Sequence, residues 1–240
     1  MYSELADWWP LLSPASHYVE EAAELLALID RVAPSRIADA LELGSGGGSL
    51  AFHLKKRFAL TLSDLSPQML AQSRAINPEC EHIEGDMRAL RLGRGFDAVL
   101  IHDAVMCMAS RAELDAALTT AAAHCRPGGV LALLPDCVRE TFAPTTEHGG
   151  EDGADGRGLR YLEWSWDPDP NDETFEVAYA LLLRDADGRV RCELDRHREG
   201  LFARATWLDA IAAAGFERGA AHTDSFGRDI FTAVRSAATR

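Results

Sequence analysis

Apolar side chains recur at helical spacing from Val19 through Ala22, Leu25 and Ile29 to Val32, and Pro34 closes the stretch, which predicts an amphipathic helix over 19–32. A short apolar run over 37–43 then reads as a strand, and the pattern begins to alternate. The spacing predicts a helix over 49–58, a buried strand over 59–64, and a helix over 68–76, with Ser66 as its cap and Pro67 in its first turn. Asn77 and Pro78 stop that helix. Further strands are expected after Cys80, over 95–101 and over 130–134. Strands alternating with helices demand a parallel sheet covered on both faces, and ligands of such sheets sit at the carboxyl ends of the strands.

After residue 134 the pattern changes. Residues 147–158 are polar and glycine-rich and predict a mobile loop. Three runs with the spacing of strands follow, 159–166, 174–184 and 190–198, separated by aspartate-, proline- and glycine-rich turns, so an antiparallel layer is expected. Thr206 is expected to cap a helix running through Ala214, and Gly215 to end it. Residues 216–222 and 229–235 can supply a final antiparallel pair to the main sheet. Read as one domain of 240 residues, the chain divides into a leading segment (1–36), a core (37–136), an insertion (137–205) and a closing part (206–240).

Composition narrows the function. A formal charge of −14, from 24 basic and 38 acidic residues, repels phosphate backbones and argues against nucleic acid as a partner. No run is apolar for long enough to cross a bilayer, and the first ten residues lack a basic lead followed by an apolar stretch, so no membrane association and a cytoplasmic location are expected. Five scattered cysteines without a C-x-x-C pair fit free thiols.

The chemistry is concentrated after the first strand. Glu42, Gly44, Gly46 and Gly48 form E-x-G-x-G-x-G, a bend whose inner surface carries no side chains, as a ligand lying against the backbone requires. Asp64, about 20 residues further on, stands where a carboxylate can accept hydrogen bonds from both hydroxyls of a ribose. These residues, with Gly85-Asp86-Met87, Phe96-Asp97 and Arg126-Pro127-Gly128-Gly129 in the same order, resemble the landmarks of class I S-adenosylmethionine-dependent methyltransferases. The resemblance covers roughly residues 37–136. It implies an α/β, Rossmann-like, seven-stranded and mostly parallel sheet with helices on both faces, plus an antiparallel β insertion after strand five.

It also implies a cofactor, S-adenosylmethionine, with S-adenosylhomocysteine as product. Glu42, Gly44, Ser45 and Gly46 would meet its amino-acid part. Asp64 would hold the ribose, Asp86 the adenine amino group, and Leu65 and Met87 would sandwich the ring, with Met69, Arg88 and His102 completing the contacts. The leading segment, with Tyr18 and Glu20-Glu21-Ala22, is similar to the lead-in helix of aminosugar dimethyltransferases. Those members carry a histidine beyond strand four where this chain has Met106, Cys107 and Met108, a departure that argues against an aminosugar acceptor.

Candidates for catalysis are His102, with Asp103 as an orienting carboxylate, and Tyr18. Tyr2, His17, Asp103, Met106, Trp164 and Trp166 are candidates for contact with a small-molecule acceptor. Trp164 and Trp166 share one face of a strand, which can equally be a core or the seam of a homodimer. Asp136 is followed by Cys137, so the Asp, Asp and Asn cluster of metal-dependent relatives is absent and no metal is expected. The expected activity is transfer of a methyl group to nitrogen or oxygen of a small molecule. A nicotinamide-dependent oxidoreductase and a non-catalytic assembly module are the alternatives.

Overall fold

In the computed structural model, which describes residues 1–236, the strand residues sort by parity onto two cores. Strands β1 (Asp39–Leu43), β2 (Ala59–Asp64), β3 (Glu81–Glu84), β4 (Phe96–His102) and β5 (Cys125–Leu134) run parallel. Leu41, Leu43, Val99, Ile101, Leu131 and Leu133 point to one face, where helices α5 (Arg111–His124) and α6 (Arg204–Ala213) cover them. Ala40, Leu60, Leu62, Ala98, Leu100 and Ala132 point to the other, against α2 (Val19–Val32) and α3 (Ala51–Leu54). A strand buried on both faces reads as continuous apolar sequence for this reason.

The insertion forms a separate antiparallel sheet in the order β6 (Thr145–Gly149), β7 (Gly158–Trp166), β8 (Thr174–Arg184) and β9 (Val190–Gly200). β10 (Phe216–Thr223) and β11 (Asp229–Arg235) return antiparallel to the main sheet, whose order is β10-β11-β5-β4-β1-β2-β3. The fold is the expected Rossmann-like one with its insertion. Strand order reverses between the parallel neighbours β1 and β4, successive strands being added on opposite sides of that point, and a crevice opens there at the carboxyl ends of the strands.

Several expectations are corrected. Residues 147–158 are not a featureless loop: β6 pairs Thr145 to Gly149 against β7, and Asp152 bridges to Gly158. The glycines had masked an edge strand. Regular helix after the glycine bend is confined to α3, because the chain winds on through turns to reach Phe58. The leading segment is broken into a turn at Ala6–Trp8, α1 (Trp9–Leu12), a turn at Ala15–Tyr18 and then α2, since Pro10 and Pro14 interrupt the backbone ladder. Thr206 lies inside α6, which begins at Arg204; its Arg204 N–H donates to the Glu140 carboxylate at 3.0 and 3.1 Å, so a distant acid does the work assigned to Thr206. Ser66 does cap α4 (Pro67–Ile76), accepting from the Met69 N–H at 3.1 Å.

Sheet alternation decides what the insertion offers the crevice. Tyr161, Glu163 and Ser165 on β7, Val177 and Tyr179 on β8, and Glu199 on β9 face inward and line it. Trp8 and Leu11 of the leading segment pack at one end of that inner face against Leu159, Leu181 and Leu183, and Met106 packs at the other against Phe175 and Val177. Between them the cleft encloses about 1260 Å³.

Candidate functional site

The loop after β1 is built by its glycines. Gly44, Gly46 and Gly48 have φ of 75°, 54° and 76°, and a Cβ on Gly44 would run into Ala104 and lie 2.6 Å from Met87 Cε. Gly44 and Ser45 donate their N–H groups to the Ser63 carbonyl at 2.8 and 2.9 Å. Gly46 N–H donates to Asp64 Oδ2, and Ser66 N–H to Asp64 Oδ1, each at 2.8 Å. The carboxylate is thus locked beside the loop, with its remaining lone pairs free for the cleft it lines. Burial raises the Asp64 carboxyl against the opposing pull of these N–H groups.

At the loop's base Glu42 is 2% exposed, and its Oε2 and the Ser45 Oγ are buried without a hydrogen-bond partner. Both residues line the cleft. Burial pushes the Glu42 carboxyl up to about 7, with Asp103 and Asp64 adding to the rise against His102. A cationic amino group is what would satisfy it. Across the cleft, Leu65 is exposed and stands with Met87 on the lining, while the Asp86 carboxylate is gripped by Arg88 Nε at 3.0 and 3.1 Å, which holds it below the usual carboxylate range. Arg88 in turn donates to Glu113 at 2.7 Å. An orphaned acid, a side-chain-free bend, a fixed carboxylate and two flanking apolar side chains fit the amino end, backbone approach, ribose and adenine of the expected cofactor.

Three of the expected acceptor contacts and one cofactor contact lie elsewhere. Met106 is fully packed beneath the inner face, and Met69 is fully buried behind the glycine loop. Trp164 and Trp166 occupy the outer face of β7, their rings 4.6 Å apart, because residues of their parity turn away from the cleft. Tyr2, His17, Tyr18, His102 and Asp103 line the cleft.

His102 is not placed as a neutral base. Its Nε2 donates to Glu21 Oε1 at 2.5 Å and lies 3.1 Å from Asp103 Oδ1, so α2 supplies its main partner. Burial alone would lower its pKa, but Asp103, Glu21 and Glu42 outweigh that effect and hold the imidazolium up to about 9. Burial would likewise raise Glu21, yet His102 and Arg228, whose Nη2 is 3.1 Å from Glu21 Oε2, bring it down to about 2. Tyr18 donates or accepts at Ser13 Oγ, 2.6 Å away, and its ring stands edge-on to His102; burial raises its hydroxyl far out of reach of neutral chemistry.

Sequence reasoning missed Asp136, Glu163, Glu199, Tyr179 and Arg228, all of which line the cleft. Parity along β7 was the available signal for Glu163: the face opposite the tryptophans carries it. Asp136 follows β5 beside Asp103, because His102 pairs with Leu134, and the two carboxyls are within hydrogen-bonding reach. Asp136 is exposed to the cleft, and the protein walls around it, ahead of the Asp103 and Glu199 charges, raise its carboxyl above the usual range.

Crevice, bend and paired carboxylates define an S-adenosylmethionine-dependent methyltransferase, and the chain belongs to that family. Residues 40–129 match the methyltransferase domain family. Over 98% of its length the chain is 32% identical to the dTDP-3-amino-3,6-dideoxy-alpha-D-glucopyranose N,N-dimethyltransferase of Streptomyces fradiae, of which it covers 92%. Its structure is similar to that of DesVI of Streptomyces venezuelae, with a TM-score of 0.84 and 28% identity, covering 97% of this chain and 99% of that one. It is also similar to S-adenosylmethionine-bound CalS10, an amino pentose methyltransferase from Micromonospora echinaspora, with a TM-score of 0.77, 31% identity and coverage of 91% and 92%. The protein is an enzyme that methylates a small molecule, and the nicotinamide and assembly alternatives find no support.

Proposed function

We propose that the methylated atom is an amine nitrogen, that residues 1–240 act as one catalytic unit, and that no metal takes part. The observation that carries this reading is the adjacent pair Asp103 and Asp136, facing the cleft where β4 and β5 end. When bound, S-adenosylmethionine supplies a sulfonium methyl whose C–S bond breaks, its electron pair returning to sulfur, as the acceptor's lone pair forms the new bond. The chain's own work is alignment and proton removal. An ammonium entering beside the two aspartates gives one proton to the pair, whose raised affinity for protons suits it to accept, and its lone pair is freed. Asp64 and the glycine loop hold the donor end, and the inserted sheet limits water. The His102, Glu21 and Arg228 group contributes a fixed positive charge beneath the aspartates rather than a base. Glu21 has one oxygen on His102 and the other on Arg228, so its cluster with His102 and Asp103 is filled by protein donors instead of an ion.

S-Adenosylhomocysteine release from a panel of small amines and alcohols tests the assignment. Turnover is expected with amines, and turnover confined to alcohols would overturn it. A second expected result concerns Glu42. Because the free protein holds its carboxyl at about 7, S-adenosylhomocysteine affinity should climb by up to about tenfold per unit as pH rises toward 7 and level off above it. Calorimetric titration across that range checks the slope, which Glu42→Gln should flatten.

The soluble context is an expectation from sequence; among the described residues no helix is long and apolar enough to cross a membrane. For assembly, we infer that a second copy covers the outer face of the inserted sheet. Leu162, Trp164, Leu182 and Leu194 lie exposed there, Leu194 by 81%, and Arg196 and Glu176 pair at 2.9 Å beside them, so charges of both signs rim an apolar centre in a form that a two-fold axis can match. Light scattering is expected to show a dimer that Leu194→Asp converts to monomer; a wild-type monomer at high concentration would refute it.

A further inference from the structure

The acceptor end of the cleft is acidic on both walls. Asp103 and Asp136 stand on the main sheet, and the inserted sheet faces them with Glu147, Glu163 and Glu199. Glu147 and Glu163 sit directly opposite each other across β6 and β7, a pairing that is destabilising when both are charged. Enclosure, ahead of the charges of Glu163 and Asp103, pushes Glu199 up to about 7. Enclosure also raises Glu163, against the hydrogen bond from Tyr179 and with Glu147 adding to the rise. Asp103 Oδ1 is buried and lies 3.1 Å from His102 Nε2, whose hydrogen bond goes to Glu21.

Among the described residues no cation pairs with Glu147, Glu163 or Glu199, whereas Asp103 has His102 Nε2 3.1 Å from its Oδ1. Each basic group lining the cleft already holds a carboxylate: the Met1 amino group holds Asp195, Arg88 holds Asp86 and Glu113, Arg228 holds Glu21 and Asp224, His102 holds Glu21 and Asp103, and His17 donates to Glu151 at 3.0 Å. A diphosphate needs unpaired arginine, lysine or a run of free N–H groups. Here it would meet like charge instead.

We propose that the acceptor is a small molecule bearing at least two amines and no phosphate: one amine is methylated beside Asp103 and Asp136, and a second, as ammonium, is held by Glu163 and Glu199. This rests on the amine-methyltransferase reading and departs from the nucleotide-linked aminosugar named for the Streptomyces fradiae relative. The second ammonium separates the opposed glutamates and replaces their repulsion with attraction, so the roof's acids bind their ligand ionised. The methylated nitrogen follows the balance given above: it loses one proton to the aspartates and gains the methyl carbon, and the electron pair of the broken bond leaves with sulfur.

The test is calorimetric titration of the protein saturated with S-adenosylhomocysteine, using two probes. Neamine carries several amines and no phosphate; dTDP-3-amino-3,6-dideoxy-alpha-D-glucopyranose carries one amine and a diphosphate. Neamine is expected to bind at least about tenfold more tightly than the nucleotide sugar and to lose at least about tenfold in Glu163→Gln/Glu199→Gln. Its affinity should also fall as salt rises from about 20 to about 200 mM. Tighter binding of the nucleotide sugar, no binding of neamine, or unchanged neamine affinity in the double variant overturns the proposal. Failure of S-adenosylhomocysteine itself to saturate the protein would instead sink the cofactor reading, so the two failures are distinct. Relief of the Glu147 and Glu163 repulsion should keep the double variant's melting temperature at or above that of the wild type, so that lost binding does not report unfolding; the two single variants give the same readout should the double one fold poorly.

Discussion

Replacing Asp64 with alanine is expected to weaken S-adenosylhomocysteine binding by at least about a hundredfold, because two hydrogen bonds to a charged acceptor are worth about 1.5 to 3 kcal/mol each. The carboxylate has a second task, which makes the effect larger than ribose contacts alone. It fixes Gly46 and Ser66 through their N–H groups, so its loss also frees the glycine loop whose backbone the cofactor approaches. Asp64→Asn keeps one oxygen acceptor and should fall between wild type and alanine. Calorimetry reads both variants, and an alanine variant within threefold of wild type would remove the ribose assignment.

The second large effect is on stability. Glu21→Ala leaves His102 and Arg228 without their shared carboxylate inside the protein, and breaking a buried pair in this way costs about 3 kcal/mol or more. For a chain of this size the melting temperature should drop by about 6 to 12 °C. The pH dependence has a definite sign. His102 is raised from 6.5 to about 9, so its contribution is complete below 6.5 and disappears as pH climbs through 9. Glu21 is lowered from 4.5 to about 2, so its contribution is complete above 4.5 and disappears as pH falls through 2. The gap between wild type and variant should therefore be widest from 4.5 to 6.5 and shrink as pH climbs from 6.5 through 9. Thermal unfolding over that range checks it, and a gap that widens at high pH would contradict a charged His102.

The main sheet was readable from residue order because its central strands β1, β2, β4 and β5 are apolar on both sides and end at turns with their own chemistry, while the polar edge strands β3 and β10 were marked by the motif and turns beside them. The candidate cofactor residues could be picked out as well, since Glu42, the glycines and Asp64 lie in one short stretch, and in the structure they line one cleft. What could not be read is what distant segments bring together. Glu21 reaches His102 from α2, and Asp136 meets Asp103 only through the pairing of β4 with β5. The tryptophans misled for a physical reason: aromatic bulk draws attention, but the parity of β7 that unites them also turns them outward, and the same parity turns Glu163 in. Met106 misled differently, its position after β4 being suited to a contact while its side chain packs under the inserted sheet.

That parity constrains how the enzyme can diverge. β7 is paired with β8 along its whole length, so inserting or deleting one residue at either end would exchange Tyr161, Glu163 and Ser165 for Leu162, Trp164 and Trp166, turning an anionic chamber into a greasy one in a single mutational event. Lineages descended from this chain should accordingly alter their choice of acceptor through point substitutions at odd-numbered sites of that strand, and tolerate length polymorphism only in the hairpin turns beyond it.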